Sequence, residues 1–241
     1  KMIFITHFRT FFFAFNLIFL ISLSSPQIAN CELEDAIKDM KKGNYVSAYK
    51  EFSILGEKGN ATAQFYLGQM YRIGLYVKEN HQKSFAWYKK SAKQGVSFAQ
   101  FYLGNMYLRG TGISVDIQKA TKWYIKAANQ GHIIAQYHLG RMYQRGDGVS
   151  SNNKKSAKWF RKAAKQGYIL AQYKLGLMYL AGDGVPKNYI QAHKWLNLSG
   201  IIGRNKIATA LLDSIEKDMT TSQIQKANSL ANKWLKQKRK K

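Results

Sequence analysis

The sequence predicts an all-α protein, a solenoid of helix pairs with a period of 36 residues. Two series of residues carry that prediction. The block Ala63-Gln64-Phe65-Tyr66-Leu67-Gly68, followed by Met70-Tyr71, returns from Ala99, Ala135 and Ala171, each copy 36 residues after the last and without an insertion. On the same beat fall Trp87, Trp123, Trp159 and Trp195, each followed eight residues later by Gly95, Gly131, Gly167 and Gly203. A fixed period of this size in helix-forming sequence marks stacked helical units, each burying its apolar face only against its neighbours.

Charge is the third observation. The 241 residues hold 38 Lys plus Arg against 13 Asp plus Glu, a formal net charge of +25. Between Gln82 and Leu212 only three acids occur (Asp116, Asp147 and Asp183), against 21 Lys and Arg. Such a surface favours anionic partners, and the attraction weakens as salt rises. One cysteine, Cys31, excludes an intramolecular disulfide framework. The five histidines (His7, His81, His132, His138 and His193) lack metal-ligand spacing, so neither a metal nor a cofactor is expected.

Residues 1–29 read as an export signal. Lys1 and Arg9 supply a positive start, and Phe11 to Leu23 is a largely apolar run of 13 residues, short for a membrane-spanning helix. Ser24-Ser25-Pro26 ends that helix and Ala29 precedes the cut; an uncleaved signal anchor is the alternative. Residues 30–60 form a degenerate capping repeat, with a first helix over about Leu33 to Lys42 joined through Gly43-Asn44 to a second helix in phase with the rest.

Four full repeats follow, 61–96, 97–132, 133–168 and 169–204. Their first helices start near Ala61, Ser97, Ile133 and Ile169 and end at Gly74, Gly110, Gly146 and Gly182, where glycine takes a left-handed cap. The turn then reads Thr111-Gly112-Ile113, Asp147-Gly148-Val149 and Asp183-Gly184-Val185; the first repeat departs, with Tyr76 in the second glycine's place. Asn80, Asp116, Asn152 and Asn188 are short acceptors suited to N-cap the second helices.

Gly68, Gly104, Gly140 and Gly176 sit inside helices, where glycine costs about 1 kcal/mol against alanine. Their recurrence in phase implies a close approach by another helix, with Ala92, Ala128 and Ala164 as the small partners. Met70, Tyr71, Trp87 and their equivalents are expected to fill the core between. Residues 205–241 break the pattern: one helix over Ala208 to Met219, a capping box Thr220-Thr221-Ser222-Gln223, a final helix through Trp234, and a solvated basic tail.

Together these motifs resemble the Sel-one-like repeat family, relatives of the tetratricopeptide repeats, over about residues 45–235. The pattern Ala-x-x-x-Leu-Gly-x-x-Tyr, Gly-x-Gly-Val, Trp-Tyr/Phe-x-x-Ala-Ala-x-x-Gly is nearly complete in residues 99–131 and 135–167. The resemblance implies an α/α right-handed superhelix serving as an adaptor or scaffold, with bacterial members exported and active in envelope regulation or host-cell entry. A cysteine-rich branch with penicillin binding is also implied, but this chain lacks its cysteine pairs.

Catalytic chemistry finds little support. Three Ser-x-x-Lys spacings occur (Ser47 to Lys50, Ser151 to Lys154, Ser214 to Lys217), without the Ser-Asp-Asn or Lys-Thr-Gly motifs of serine β-lactamases. The chain is read as non-enzymatic.

A binding face is better marked. On the first helices, positions related as i, i+4, i+7 and i+11 share one side. They hold Thr62, Tyr66, Gln69 and Ile73; then Phe98, Tyr102, Asn105 and Arg109; then Ile134, His138, Arg141 and Arg145; then Leu170, Lys174, Leu177 and Ala181. Neighbouring positions hardly change between copies while these do, so they are the candidate concave surface for a protein or peptide partner. The second helices carry a different, outer stripe, Lys119, Lys122, Lys126, Lys155, Lys158, Lys162 and Lys165. This stripe offers an alternative function in contact with an anionic membrane or cell-wall polymer. An export signal argues against nucleic acid as the partner.

Overall fold

The computed structural model describes residues 26–203 and 205–239; residues 1–25 of the expected export signal, with its apolar run Phe11 to Leu23, lie outside them, whereas Pro26 to Ala29, where the signal was expected to end, are helical. Among the described residues are twelve α-helices and no strands. Two units are distinguished, meeting at Val96 and Ser97.

The first unit contains α1 (Pro26–Lys42), α2 (Tyr45–Glu57), α3 (Ala61–Ile73) and α4 (His81–Lys93), each packed on the next. Helix α1 opens at Pro26, well before the expected start at Leu33. Proline suits a first helical turn because its missing N–H has no intrahelical partner there. Ala36, Ala48, Phe52, Leu55, Ala63, Leu67 and Met70 make the core of this unit.

The second unit contains α5 (Ser97–Arg109), α6 (Ile117–Asn129), α7 (Ile133–Arg145), α8 (Asn153–Lys165), α9 (Ile169–Ala181), α10 (Tyr189–Gly203), α11 (Lys206–Glu216) and α12 (Thr221–Arg239). Consecutive helices from α5 to α11 pack in sequence, and α12 returns onto α10. The first helices of all four repeats begin where the 36-residue pattern puts them.

Each pair is closed by a pinned turn. The side chains of Asn80, Asp116, Asn152 and Asn188 accept the amides of Lys83, Lys119, Lys155 and Gln191 at 2.8–2.9 Å, the N-caps expected from the sequence. The amides of the same four residues donate back to the carbonyls of Tyr71, Tyr107, Tyr143 and Tyr179 at 2.7–2.9 Å. Gly74, Gly110, Gly146 and Gly182 take left-handed φ of 68–84°. Tyr76 adopts the φ of its glycine counterparts, 65°, a conformation that costs a side-chain-bearing residue about 1–2 kcal/mol.

The in-helix glycines face rings, where alanines were expected. A Cβ on Gly68, Gly104 or Gly140 would lie 2.6, 3.1 or 2.7 Å from the ring of Tyr88, Tyr124 or Phe160. On Gly176 it would lie 2.7 Å from Leu196. Each glycine is therefore a notch that receives a large buried side chain of the second helix. Ala92, Ala128 and Ala164 are buried one turn further on.

A second device was not singled out in the sequence, although its residues recur in phase. Gln64, Gln100, Gln136 and Gln172 are buried on the first helices. Gln94, Gln130 and Gln166, at the ends of the second helices, donate Nε2 to Gln64, Gln100 and Gln136 Oε1 at 2.8, 2.8 and 2.9 Å. The buried amides also donate to the preceding second helix: Gln64 to Gly56 O at 3.0 Å, Gln136 to Ala128 O at 3.1 Å, Gln172 to Ala164 O at 3.3 Å. Only Gln172 Oε1 is left with no partner among the described residues, because the position 36 residues after Gln166 is Ile202, which has no amide to offer.

The C-terminal residues are helix rather than tail. Thr220 and Gln223 form the expected reciprocal capping box, with the Thr220 amide donating to Gln223 Oε1 at 2.9 Å and the Gln223 amide to Thr220 Oγ1 at 3.3 Å. Helix α11 runs from Lys206 to Glu216, earlier than the expected Ala208–Met219, because Asn205 caps it by accepting the amides of Ile207 and Ala208. Lys236, Lys238 and Arg239 form the last turn of α12; Trp234 packs beside Gly167, and Lys238 Nζ donates to Gln166 O at 3.0 Å.

Filling a notch overpacks the pair at a cost of about 1–3 kcal/mol, against about 1 kcal/mol gained in helix propensity. Gly140→Ala is expected to lower the unfolding free energy by up to about 2 kcal/mol in urea denaturation. Gly104→Ala, with more room before Tyr124, is expected to lose less. In the amide ladder, Gln136→Leu removes one donor and one acceptor and is expected to cost about 1–3 kcal/mol. Gln172→Leu, whose oxygen is already unsatisfied, is expected to cost clearly less in the same assay.

Candidate binding face on the first helices

In the first unit the candidate residues are largely occupied by the protein itself. Tyr66 stacks on Phe52 with ring centroids 4.8 Å apart. Gln69 Oε1 accepts from Arg72 Nε and Nη2 at 3.0 and 2.9 Å. Ile73 is exposed and Thr62 half-buried.

In the second unit two of these positions, Asn105 and His138, pack on the buried Tyr124. The Tyr124 hydroxyl, from α6, donates to Asn105 Oδ1 at 2.6 Å. His138 lies flat on the Tyr124 ring, 5.4 Å between centroids and 4° from parallel. Asn105 and His138 are thus shared between the face and the packing beneath it. Burial first, then the nearby charges of Arg141 and Arg109, hold the His138 imidazole down to about 4, so it is neutral at pH 7. Burial pushes the Tyr124 phenol above its ordinary value.

Around this stack the face opens to solvent. Arg109 and Arg145, in the last turns of α5 and α7, are exposed, a position where the helix dipole favours a cation. Tyr102, Arg141, Lys174 and Leu177 are half-buried, and Phe98 is exposed, its ring set edge-to-face with His132 at 4.9 Å between centroids. None of Arg109, Arg141, Arg145 and Lys174 forms an ion pair among the described residues. His132 and Tyr124 belong to this neighbourhood and were missed: Tyr124 stands beside Trp123 in every Trp-Tyr/Phe motif, but the motif does not show which way it points.

The second-helix lysines have a structural share. Lys126 and Lys162 lie 4.5 and 4.3 Å above the rings of Trp123 and Trp159, and Lys90 lies 4.1 Å above Trp87. Lys119 and Lys155 sit over Tyr107 and Tyr143, and Lys119 also pairs with Asp116 at 2.9 Å. Trp87, Trp123 and Trp159 are therefore only half-buried, short of the full core position expected of them; a cation covers each exposed face.

The Ser-x-x-Lys pairs do not assemble a site. Ser151 is exposed and donates to Gln144 O at 3.3 Å, and Ser214 is exposed on α11. No group of three or more metal-ligating side chains occurs among the described residues, and no helix among them is long and apolar enough to cross a membrane.

Helix pairs with an invariant core and a variable first-helix face define a helical repeat scaffold. The profile of the Sel1 repeat matches residues 61–96, 97–132, 133–168 and 169–200, and the chain belongs to the Sel1 repeat family. Members of this family generally act as scaffolds for protein interaction and are typically non-enzymatic. Among solved structures, the chain is similar to a protective antigen of uropathogenic Escherichia coli strains displaying an SLR fold: 31% identity over 86% of this chain, TM-score 0.74. It is also similar to a Sel1 repeat protein from Oxalobacter formigenes, with 33% identity over 70% of this chain and a TM-score of 0.66. The chain spans less than half the length of each, 45% and 49%. A comparison with curated protein sequences finds no match.

The His138 environment has a pH signature. Folded, His138 takes a proton only near about 4, whereas its ordinary value is 6.5. This contribution to stability is complete above 6.5 and is lost as pH falls from there toward about 4. Histidine NMR titration is expected to place the His138 midpoint well below those of exposed histidines, and His138→Gln is expected to flatten the stability profile across that window.

Proposed function

We propose that this chain is an exported scaffold that holds a protein or peptide partner on the first-helix face of its repeats. The observation that carries the reading is the separation of constraint on one helix. Ala99, Leu103, Gly104 and Met106, and their equivalents from α7 and α9, are buried and almost unvarying. The turns between them carry Phe98, Tyr102 and Arg109, then Ile134, His138 and Arg145, then Leu170, Lys174 and Ala181. Packing asks for repetition, and recognition asks for difference. Export is supported by the charged start and apolar run of residues 1–23.

Photo-crosslinking tests the reading. A benzoylphenylalanine at position 109 or 145 reports on the face, and one at position 122 or 158 on the outer lysine stripe. In native envelope or host extract, the face sites are expected to capture a discrete polypeptide that survives a high-salt wash, and the stripe sites are not. Capture confined to the stripe and abolished by salt would replace the scaffold reading with binding of an anionic polymer or membrane.

A further inference from the structure

The second unit's face is not uniform; it has an apolar rim and a basic rim. Phe98, Ile134 and Leu170, in the first turns of α5, α7 and α9, are 57%, 38% and 47% exposed. Large apolar side chains in phase on three successive first helices form a ridge, and the equivalent position in the first unit is the polar Thr62. Between Phe98 and Ile134 runs a shallow cleft of about 370 Å³, lined also by Gly131, His132 and Gln166.

At the other end of the same helices the chemistry reverses. Arg109 and Arg145 close α5 and α7, with Arg141 one turn inside and Lys174 at mid-helix on α9. Their charges have no counter-ion among the described residues. Asp116 is engaged by Lys119, and no carboxylate pairs with any of the four among the described residues. His138, between the arginines, is neutral, so it adds no charge and leaves the rim to the guanidinium groups. From residue 98 to residue 109 the helix rises about 16 Å, which accommodates one α-helix of about 10–12 Å diameter together with the reach of the arginine side chains.

We infer that this face takes an acidic amphipathic segment of a partner protein, its apolar side chains on the Phe98–Ile134–Leu170 ridge and its carboxylates on Arg109, Arg141 and Arg145. The inference rests on the scaffold reading and names the chemistry of its partner. The ridge asks for side chains that a polyanion lacks, and the arginines ask for carboxylates, which they bind in two-pronged fashion. An amphipathic helix supplies both along opposite edges.

The full chain is titrated, with fluorescence anisotropy as readout, against a labelled Leu/Glu peptide of about five helical turns patterned to be amphipathic. The control peptide has the same composition in scrambled order, so attraction to the +25 net charge is common to both. The amphipathic peptide is expected to bind at least about tenfold more tightly than the scrambled one. Arg109→Gln/Arg141→Gln/Arg145→Gln and, separately, Phe98→Ser/Ile134→Ser/Leu170→Ser are each expected to erase that difference. The corresponding triple Arg→Lys variant is expected to keep at least part of it. Unchanged circular dichroism spectra and thermal midpoints confirm that the variants are folded.

Equal binding of the two peptides overturns the inference, as does an amphipathic preference that survives either triple variant. Displacement of the amphipathic peptide by dextran sulfate, with no effect of the serine variants, shows charge alone and overturns it too. If crosslinking at positions 109 and 145 captures a polypeptide while the Leu/Glu peptide fails, the scaffold reading stands and only the named chemistry falls.

Discussion

Each helix pair closes because one residue on the first helix has no side chain. Gly68, Gly104, Gly140 and Gly176 stand opposite Tyr88, Tyr124, Phe160 and Leu196, in every case 20 residues later in the chain. That separation spans a turn pinned at both ends, by a left-handed glycine and by an Asn or Asp whose amide and side chain are both engaged. A residue inserted in the turn would rotate the second helix and take the ring out of its notch. The exact 36-residue beat is the sequence-level trace of that geometry, and the cost of glycine inside a helix is offset by burial of the ring it admits.

With the core discharged by glycines, alanines and rings, the rest of the surface is free to carry charge. Much of it is put to structural use. Lys90, Lys126 and Lys162 cover the open faces of Trp87, Trp123 and Trp159, so an aromatic ring only half-sunk in the core is screened from water by the aliphatic stem and held by its ammonium group. This divides the cations into two populations. The second-helix lysines are partly engaged, whereas Arg109, Arg141 and Arg145 on the first-helix face form no ion pair among the described residues.

The fold and the helix boundaries of the four repeats were legible because periodicity, caps and turn residues all point the same way there. The in-phase Asn and Asp caps, the capping box at Thr220 and the first-helix starts follow from local chemistry, and local chemistry is what a sequence displays. Side-chain direction on the second helices was not legible. The notch partner was sought among the small residues, yet it is the ring four residues earlier, since a glycine can make room either for a backbone or for a side chain. The glutamine ladder was hidden for a related reason: a repeated polar residue at a core position has no meaning until its partner, 30 residues away, is placed beside it. On the candidate face, variation between copies does not separate positions sunk into packing (Asn105, His138) from positions that are exposed (Phe98, Arg109, Arg145).

The unfilled oxygen of Gln172 says something about how such a chain can grow or shrink. From residue 97 to residue 168, each buried carboxamide finds its complement 30 residues on, at the end of the second helix of the same repeat, so a whole 36-residue module could be duplicated or deleted there with every such pair still matched. Beyond residue 168 the series stops. Ile202 stands where the next donor would fall, and α12 packs back on α10 while Trp234 and Lys238 reach Gly167 and Gln166. A change of length in whole 36-residue modules between residues 97 and 168 is therefore the change that leaves the paired carboxamides matched.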